Sequence, residues 1–208
     1  FGLSRRVLVS ILSALVGIIG VPVLSPVVVA GAAGTRGSAG VTAESASIWK
    51  ESPNGSTAVA HLTVGGEAKL GLFSGGGWSV IDPISAASWD VFPADDGTIY
   101  VTFATGVLGL STLDASGMTG DIAADMYAYG VADGYAYGKG RVDGEYAWVR
   151  TDSSGVLEEL GPFPEDVPSG FDVQIGSLLA GTQYEPGGKT GLTTLDLTTG
   201  SSTYEVVD

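Results

Sequence analysis

The sequence predicts an all-β body, built from repeated four-stranded units, behind an N-terminal hydrophobic helix. Val7 to Gly34 contains no charged residue, and its core VLVSILSALVGIIGV (7–21) is apolar enough to enter a bilayer. Downstream, short strands alternate with polar turns and helical periodicity is nearly absent. Composition agrees: 33 glycines, abundant Thr, Ser, Val and Tyr, and only 15% charged residues suit strands and tight turns rather than disorder.

The N-terminal segment, residues 1–34, reads as an export or anchor helix. Arg5 and Arg6 form a positive start, Val7–Val21 an apolar run, and Pro22 and Pro26 break the helix. Ala30-Gly31-Ala32 offers small residues to a peptidase, as a cleaved signal peptide would. The uncharged stretch 7–33 has 27 residues, which also suffices to cross a hydrocarbon core of ~30 Å if the helix is retained. Phe1, the continuous apolar run and Pro22 resemble the start of mature type IV pilins. That resemblance implies a helix that anchors the subunit and later packs in a filament core. It covers about the first 22 residues and departs from the pattern at position 5, where the family carries Glu and this chain carries Arg5. Residues 35–46 (TRGSAGVTAESA) are small and polar and read as a linker.

The remaining 162 residues, 47–208, are long enough for one domain with a substantial core. Four segments repeat a strand, a loop, a second strand and a polar turn ending in Gly: Thr57–Gly77, Thr98–Gly117, Tyr135–Gly155 and Leu179–Gly200. Their closing glycines are 40, 38 and 45 residues apart, and Asp114, Asp152 and Asp196 sit in three of the turns. Asp can cap a turn through its own backbone, while Gly takes a positive φ. A further strand is expected after each turn: Trp78–Ile81, Val156–Leu160 and Thr203–Val207 are clear, and the one after Gly117 is poor. Strands at Ser88–Phe92 and Phe171–Ile175 precede two of the repeats.

Four strands in ~40 residues is the period of a propeller blade. In period and turn chemistry the body resembles the β-propeller repeat families, and the alternative architecture is a β-sandwich. A Trp-Asp dipeptide closing every blade is missing; Trp89-Asp90 occurs once, elsewhere in its unit. Pro93–Tyr100 (PADDGTIY) partly resembles the Asp-box turn of sialidase-type propellers through Asp95, Gly97 and the aromatic Tyr100, which implies a structural hairpin turn.

Composition excludes several chemistries. All 23 acidic residues but only 7 basic ones follow position 34, a net charge of about −16, which repels phosphate backbones and argues against nucleic acid. With no cysteine, thiolate catalysis and thiolate metal sites are impossible. The single histidine, His61, lies in a strand pattern and reads as structural or surface; one histidine cannot build a zinc cluster, and no Gly-x-Ser-x-Gly elbow supplies a triad nucleophile. Asp95, Asp96, Asp114, Asp121 and Asp125 could reach calcium only if their loops converged, and isolated turn aspartates serve their turns. Glu158-Glu159 point to opposite faces of one strand, so they read as solvated charges rather than a glycosidase pair. Asn54-Gly55-Ser56 matches a glycosylation sequon.

One cluster stands out: Tyr127, Tyr129, Tyr135, Tyr137, Tyr146 and Trp148, interleaved with Gly and Ala, fall within 22 residues. Such rings either pack between sheets or contact a protein or glycan partner. The sequence therefore predicts no catalytic, cofactor or metal residue. The expectation is an extracellular, non-enzymatic structural or interaction protein at the cell surface. An acidic β-rich head is held by the N-terminal helix, with self-association through residues 7–33 and a pilus-like filament as one outcome. The membrane is engaged at least transiently. The alternatives are a secreted propeller hydrolase and a secreted glycan-binding module with a cleaved leader.

Overall fold

A computed structural model of the chain describes residues 28–29, 41–84, 88–104, 108–164, 167, 171, 173–184 and 190–207. The expectations for the N-terminal helix and its pilin-like packing lie outside the described residues. Within that region only Val28–Val29 (β1) is described, paired antiparallel with Val41–Thr42 (β2). Among the described residues no helix is long and apolar enough to cross a membrane.

Sixteen further strands form four separate four-stranded sheets. The first holds β3 (Ser45–Glu51), β4 (Ala58–Val64), β5 (Glu67–Ser74) and β6 (Gly77–Ile81). The second holds β7 (Ser88–Pro93), β8 (Ile99–Ala104), β9 (Leu108–Asp114) and β10 (Gly117–Ala124). The third holds β11 (Tyr127–Ala132), β12 (Tyr135–Val142), β13 (Glu145–Thr151) and β14 (Glu158–Pro162). The fourth holds β15 (Val173–Ile175), β16 (Leu178–Tyr184), β17 (Thr190–Asp196) and β18 (Ser202–Val207). Each sheet is an antiparallel meander in chain order. This is the propeller-like arrangement of blades, not the two facing sheets of a sandwich.

The turns follow the expected chemistry, with one shift. Gly117, Gly155 and Gly200 have φ of 112°, 77° and 67°, but in the first unit Gly75 and Gly76 take the positive φ and Gly77 opens β6. Asp114 Oδ1 accepts from the Ser116 amide at 2.7 Å, Asp152 Oδ1 from Ser154 at 2.8 Å and Asp196 Oδ1 from Thr198 at 2.9 Å. These are Asx turns, in which the carboxylate replaces a backbone acceptor. The Pro93–Tyr100 stretch forms the β7–β8 hairpin, where Ala94 N donates to Thr98 O and Asp96 Oδ1 accepts from Thr98 N.

Four strands differ from expectation, one of them being β15, which begins at Val173 and not at Phe171. The strand after Gly117 is complete as β10, although its pairing with β9 shifts register on both sides of Asp121. Gly120 and Asp121 are poor strand formers. The strand survives because Thr119 bonds across to Thr112 at 2.6 Å and Ala123 enters the core. The last strand of the third sheet lies two residues later than expected, at Glu158–Pro162, since Arg150 pairs with Glu158. The first sheet starts at Ser45, and Ala43 is buried beside Ala60 and Leu62.

The core consists of slabs between successive sheets. Val59, Leu70 and Leu72 of the first sheet pack on Val91, Ile99 and Val101 of the second. The other face of the second sheet, with Phe92, Tyr100 and Leu110, packs on Ala128, Ala136 and Val149 of the third. Tyr137 and Trp148, on the opposite face of the third sheet, pack on Leu179, Leu195 and Leu197 of the fourth. Polar staples accompany each slab. Asp95 Oδ1 accepts from Asn54 N at 3.0 Å, the Tyr100 hydroxyl donates to Gly134 O at 2.8 Å, and Trp148 Nε1 donates to Leu197 O at 2.8 Å. Burial raises the Tyr100 phenol pKa far above its ordinary value, so the hydroxyl remains a donor.

Candidate interaction surface

The third sheet is segregated by size, and its sequence shows why. Along β12, YAYGKGR puts Tyr135, Tyr137, Lys139 and Arg141 on one face and Ala136, Gly138 and Gly140 on the other. Along β13, EYAWVR puts Tyr146, Trp148 and Arg150 on the large face. Register aligns the two sets: Tyr137 opposes Arg150, Lys139 opposes Trp148, and Arg141 opposes Tyr146. The small face lies against the second sheet. There Gly138 is required, because a Cβ would sit 2.0 Å from the Tyr127 carbonyl oxygen.

The aromatic cluster is therefore one surface with a buried and an open part. Trp148 and Tyr137 are 1% exposed and belong to the slab against the fourth sheet, whereas Tyr146 is 47% exposed. Tyr129 packs against the buried part, with ring centroids 5.3 Å from Tyr127, 6.0 Å from Trp148 and 6.1 Å from Phe163. Burial raises the phenol pKa of both Tyr127 and Tyr129.

Three of the six Lys and Arg residues in 47–208 share this face. Lys139 Nζ stands 4.0 Å from the Tyr146 ring centroid and 4.9 Å from that of Phe163, and the Arg141 guanidinium is 5.0 Å from Tyr146. Among the described residues neither cation has a carboxylate partner; the aromatic faces hold them instead. Arg150 differs, since it bonds Glu158 at 2.8 Å, stacks 4.5 Å from Tyr135, and is kept protonated by Tyr137 and Glu158. A groove of about 410 Å³ opens beside this face, lined by Trp148, Leu160, Pro162, Phe163, Pro164 and the Thr199-Gly200 turn. Position 200 admits only Gly, because φ is +67° and a Cβ would meet the Trp148 indole at 2.8 Å.

The other candidates from the sequence are dispersed. His61 is exposed on β4, with its ring stacked 4.8 Å from Trp49. Asp90 of the lone Trp-Asp pair bonds Lys50 at 2.7 Å, tying the first two sheets. Asp95, Asp96 and Asp114 are engaged by turn or inter-sheet amides, and Asp125 takes a φ of 54° in the β10–β11 connection. The side chain of Asp121 lies outside the described residues. Among the described residues no group of three or more His, Asp or Glu side chains converges as a metal set would. Glu158 and Glu159 are exposed at the start of β14. A second groove, about 510 Å³, runs between the first two sheets past Ile81, Ile84 and Met118; its cation, Lys69, is paired with Asp82 at 2.7 Å and Glu67 at 2.9 Å.

The sequence marked the aromatic residues but not the cations among them. The marker was present: Lys139 and Arg141 occupy the same alternate positions as Tyr135 and Tyr137.

No protein-family model and no curated protein matches the sequence. Among solved structures, TolB from Acinetobacter baumannii is similar to this chain at 13% identity, covering 76% of the chain, with a TM-score of 0.44. The overlap spans 42% of the TolB chain, less than half its length. The propeller-like arrangement is read from the chain's own sheets.

Proposed function

We propose that this chain is a non-catalytic interaction protein that works outside the cytoplasm, where a four-bladed acidic head presents the aromatic–cationic face of its third sheet to a protein or glycan partner. The observation that carries this reading is the gathering of contact chemistry on one face. Lys139, Arg141 and the half-exposed Tyr146 stand together beside an open groove, in a body of strongly negative net charge. Aromatic rings offer large contact area at low entropic cost, and cations held over them are already desolvated in part.

Export is supported by Arg5-Arg6 and the uncharged segment that follows. Retained, that segment anchors the head at the cell surface and can self-associate, with a pilus-like filament as the extended form; cleaved, it leaves a secreted module. Surface proteolysis of intact cells, with intact-mass measurement of the native protein, tests this. The expected result is release of body peptides by external protease, and a native N-terminus at Phe1 or near Ala33. Recovery of the chain solely inside an unbroken cytoplasm overturns the proposal.

A further inference from the structure

Charge is sorted between the two faces of the third sheet. Among the described strand residues on its large face, Glu158 is the one carboxylate, and Arg150 already bonds it at 2.8 Å. The neighbouring acids lie elsewhere. Asp143 sits in the β12–β13 turn, while Glu145 opposes Val142 and Glu159 opposes Val149, both of which pack toward the second sheet. Lys139 and Arg141 therefore keep two positive charges without a carboxylate among the described residues, in a body of about −16. Two residues apart on a regular strand, they stand about 6.6 Å apart along it. Lys139 Nζ is also 4.9 Å from the ring of Phe163, which lines the 410 Å³ groove. The opposite rim of that groove supplies a hydroxyl. Thr199 Oγ1 accepts from the Ser201 amide at 3.2 Å, and among the described residues its proton has no acceptor.

Resting on the reading of this face as the partner surface, we propose that the groove beside Lys139 and Arg141 takes a short acidic oligosaccharide whose rings carry carboxylates, a uronic acid sequence. The carboxylates meet cations that the aromatic faces have already stripped of part of their water. The apolar faces of the sugar rings lie on Phe163 and its flanking prolines, and a ring hydroxyl accepts from Thr199. An acidic peptide fits this site less well. Strand β14 is an edge strand, but it ends at Pro162 and Pro164 follows, so an added peptide strand finds no amide donor at either position. Charge also limits the length of the ligand. A long polyanion reaches past the two cations onto the acidic body and is repelled there, whereas a short one stays within the patch.

Calorimetric titration of the detergent-solubilised full chain tests this with trigalacturonate, trimannuronate, the methyl esters of both, and triglutamate. At least one uronate is expected to bind about tenfold or more tightly than its own ester and than triglutamate. Lys139→Gln/Arg141→Gln is expected to weaken that binding about tenfold or more. Lys69→Gln removes a cation from the groove between the first two sheets and leaves binding unchanged. The ester comparison uses the unaltered chain, so it stands even where the double variant does not fold. Three results overturn the proposal: no binding of either uronate, esters bound as tightly as the acids, or uronate binding that survives the folded double variant. Triglutamate bound as tightly as the uronates overturns it too, but leaves the broader reading of a partner surface in place. That reading falls separately, on recovery of the chain solely inside the cytoplasm.

Discussion

At the scale of single residues, much of the chain's acidity serves turns. Donation from Ser116, side chain first and then backbone, lowers the Asp114 pKa, and Ser154 does the same for Asp152. A folded-state pKa below the unfolded value means that the unfolded chain takes up protons first as pH falls. The stability these turns contribute is complete above about pH 4 and is lost as pH drops through the depressed values. Replacing both by Asn keeps an acceptor that does not titrate, so thermal unfolding of Asp114→Asn/Asp152→Asn should vary less between about pH 4 and pH 2 than that of the native chain. These aspartates were legible because Asp and Gly recur at fixed offsets. Thr193 was not: its hydroxyl is fully buried and, among the described residues, finds no partner. Thr193→Val is expected to leave stability unchanged or raise it by about 1 kcal/mol, as denaturant titration would read.

At the scale of elements, the third sheet shows how alternation becomes architecture. Small residues on one side allow close approach to the second sheet, and rings on the other fill the wider gap to the fourth. Two staples test that account. Tyr100→Phe removes the donor to the Gly134 carbonyl and should cost about 1–2 kcal/mol. Trp148→Phe loses both the bond to Leu197 and part of the slab, and should cost about 2–4 kcal/mol. Gly155 should also resist substitution, since a side chain there would adopt a φ of 77° and collide with the Ile122 carbonyl. An Ala variant is expected to lose about 2–4 kcal/mol, measured by chemical denaturation. Strand β10 marks the limit of local reading. Gly120 and Asp121 hide it in the sequence, and only pairing with β9 and packing of Ala123 reveal it.

Across the whole molecule, the four sheets stack in series rather than around a single central core. The second and third are covered on both faces, while the first and fourth each keep one face partly open. Amide exchange should reflect that order, with the greatest protection in β8, β9, β12 and β13 and earlier exchange in β16 and β17. Equal protection in all four sheets would overturn that order.

Sequence alone determined the fold class, the ~40-residue period, most strand positions and the turn chemistry, because strands and turns are written in local alternation and in Asp and Gly spacing. It also marked the aromatic cluster as one unit, since alternate residues of a strand must share a face. Only the tertiary structure decided which rings are core and which are surface: Trp148 and Tyr146 are two residues apart on the same face, yet one is buried against the fourth sheet and the other is half exposed. Burial depends on which neighbouring sheet arrives and how far it extends, and no local pattern carries that information.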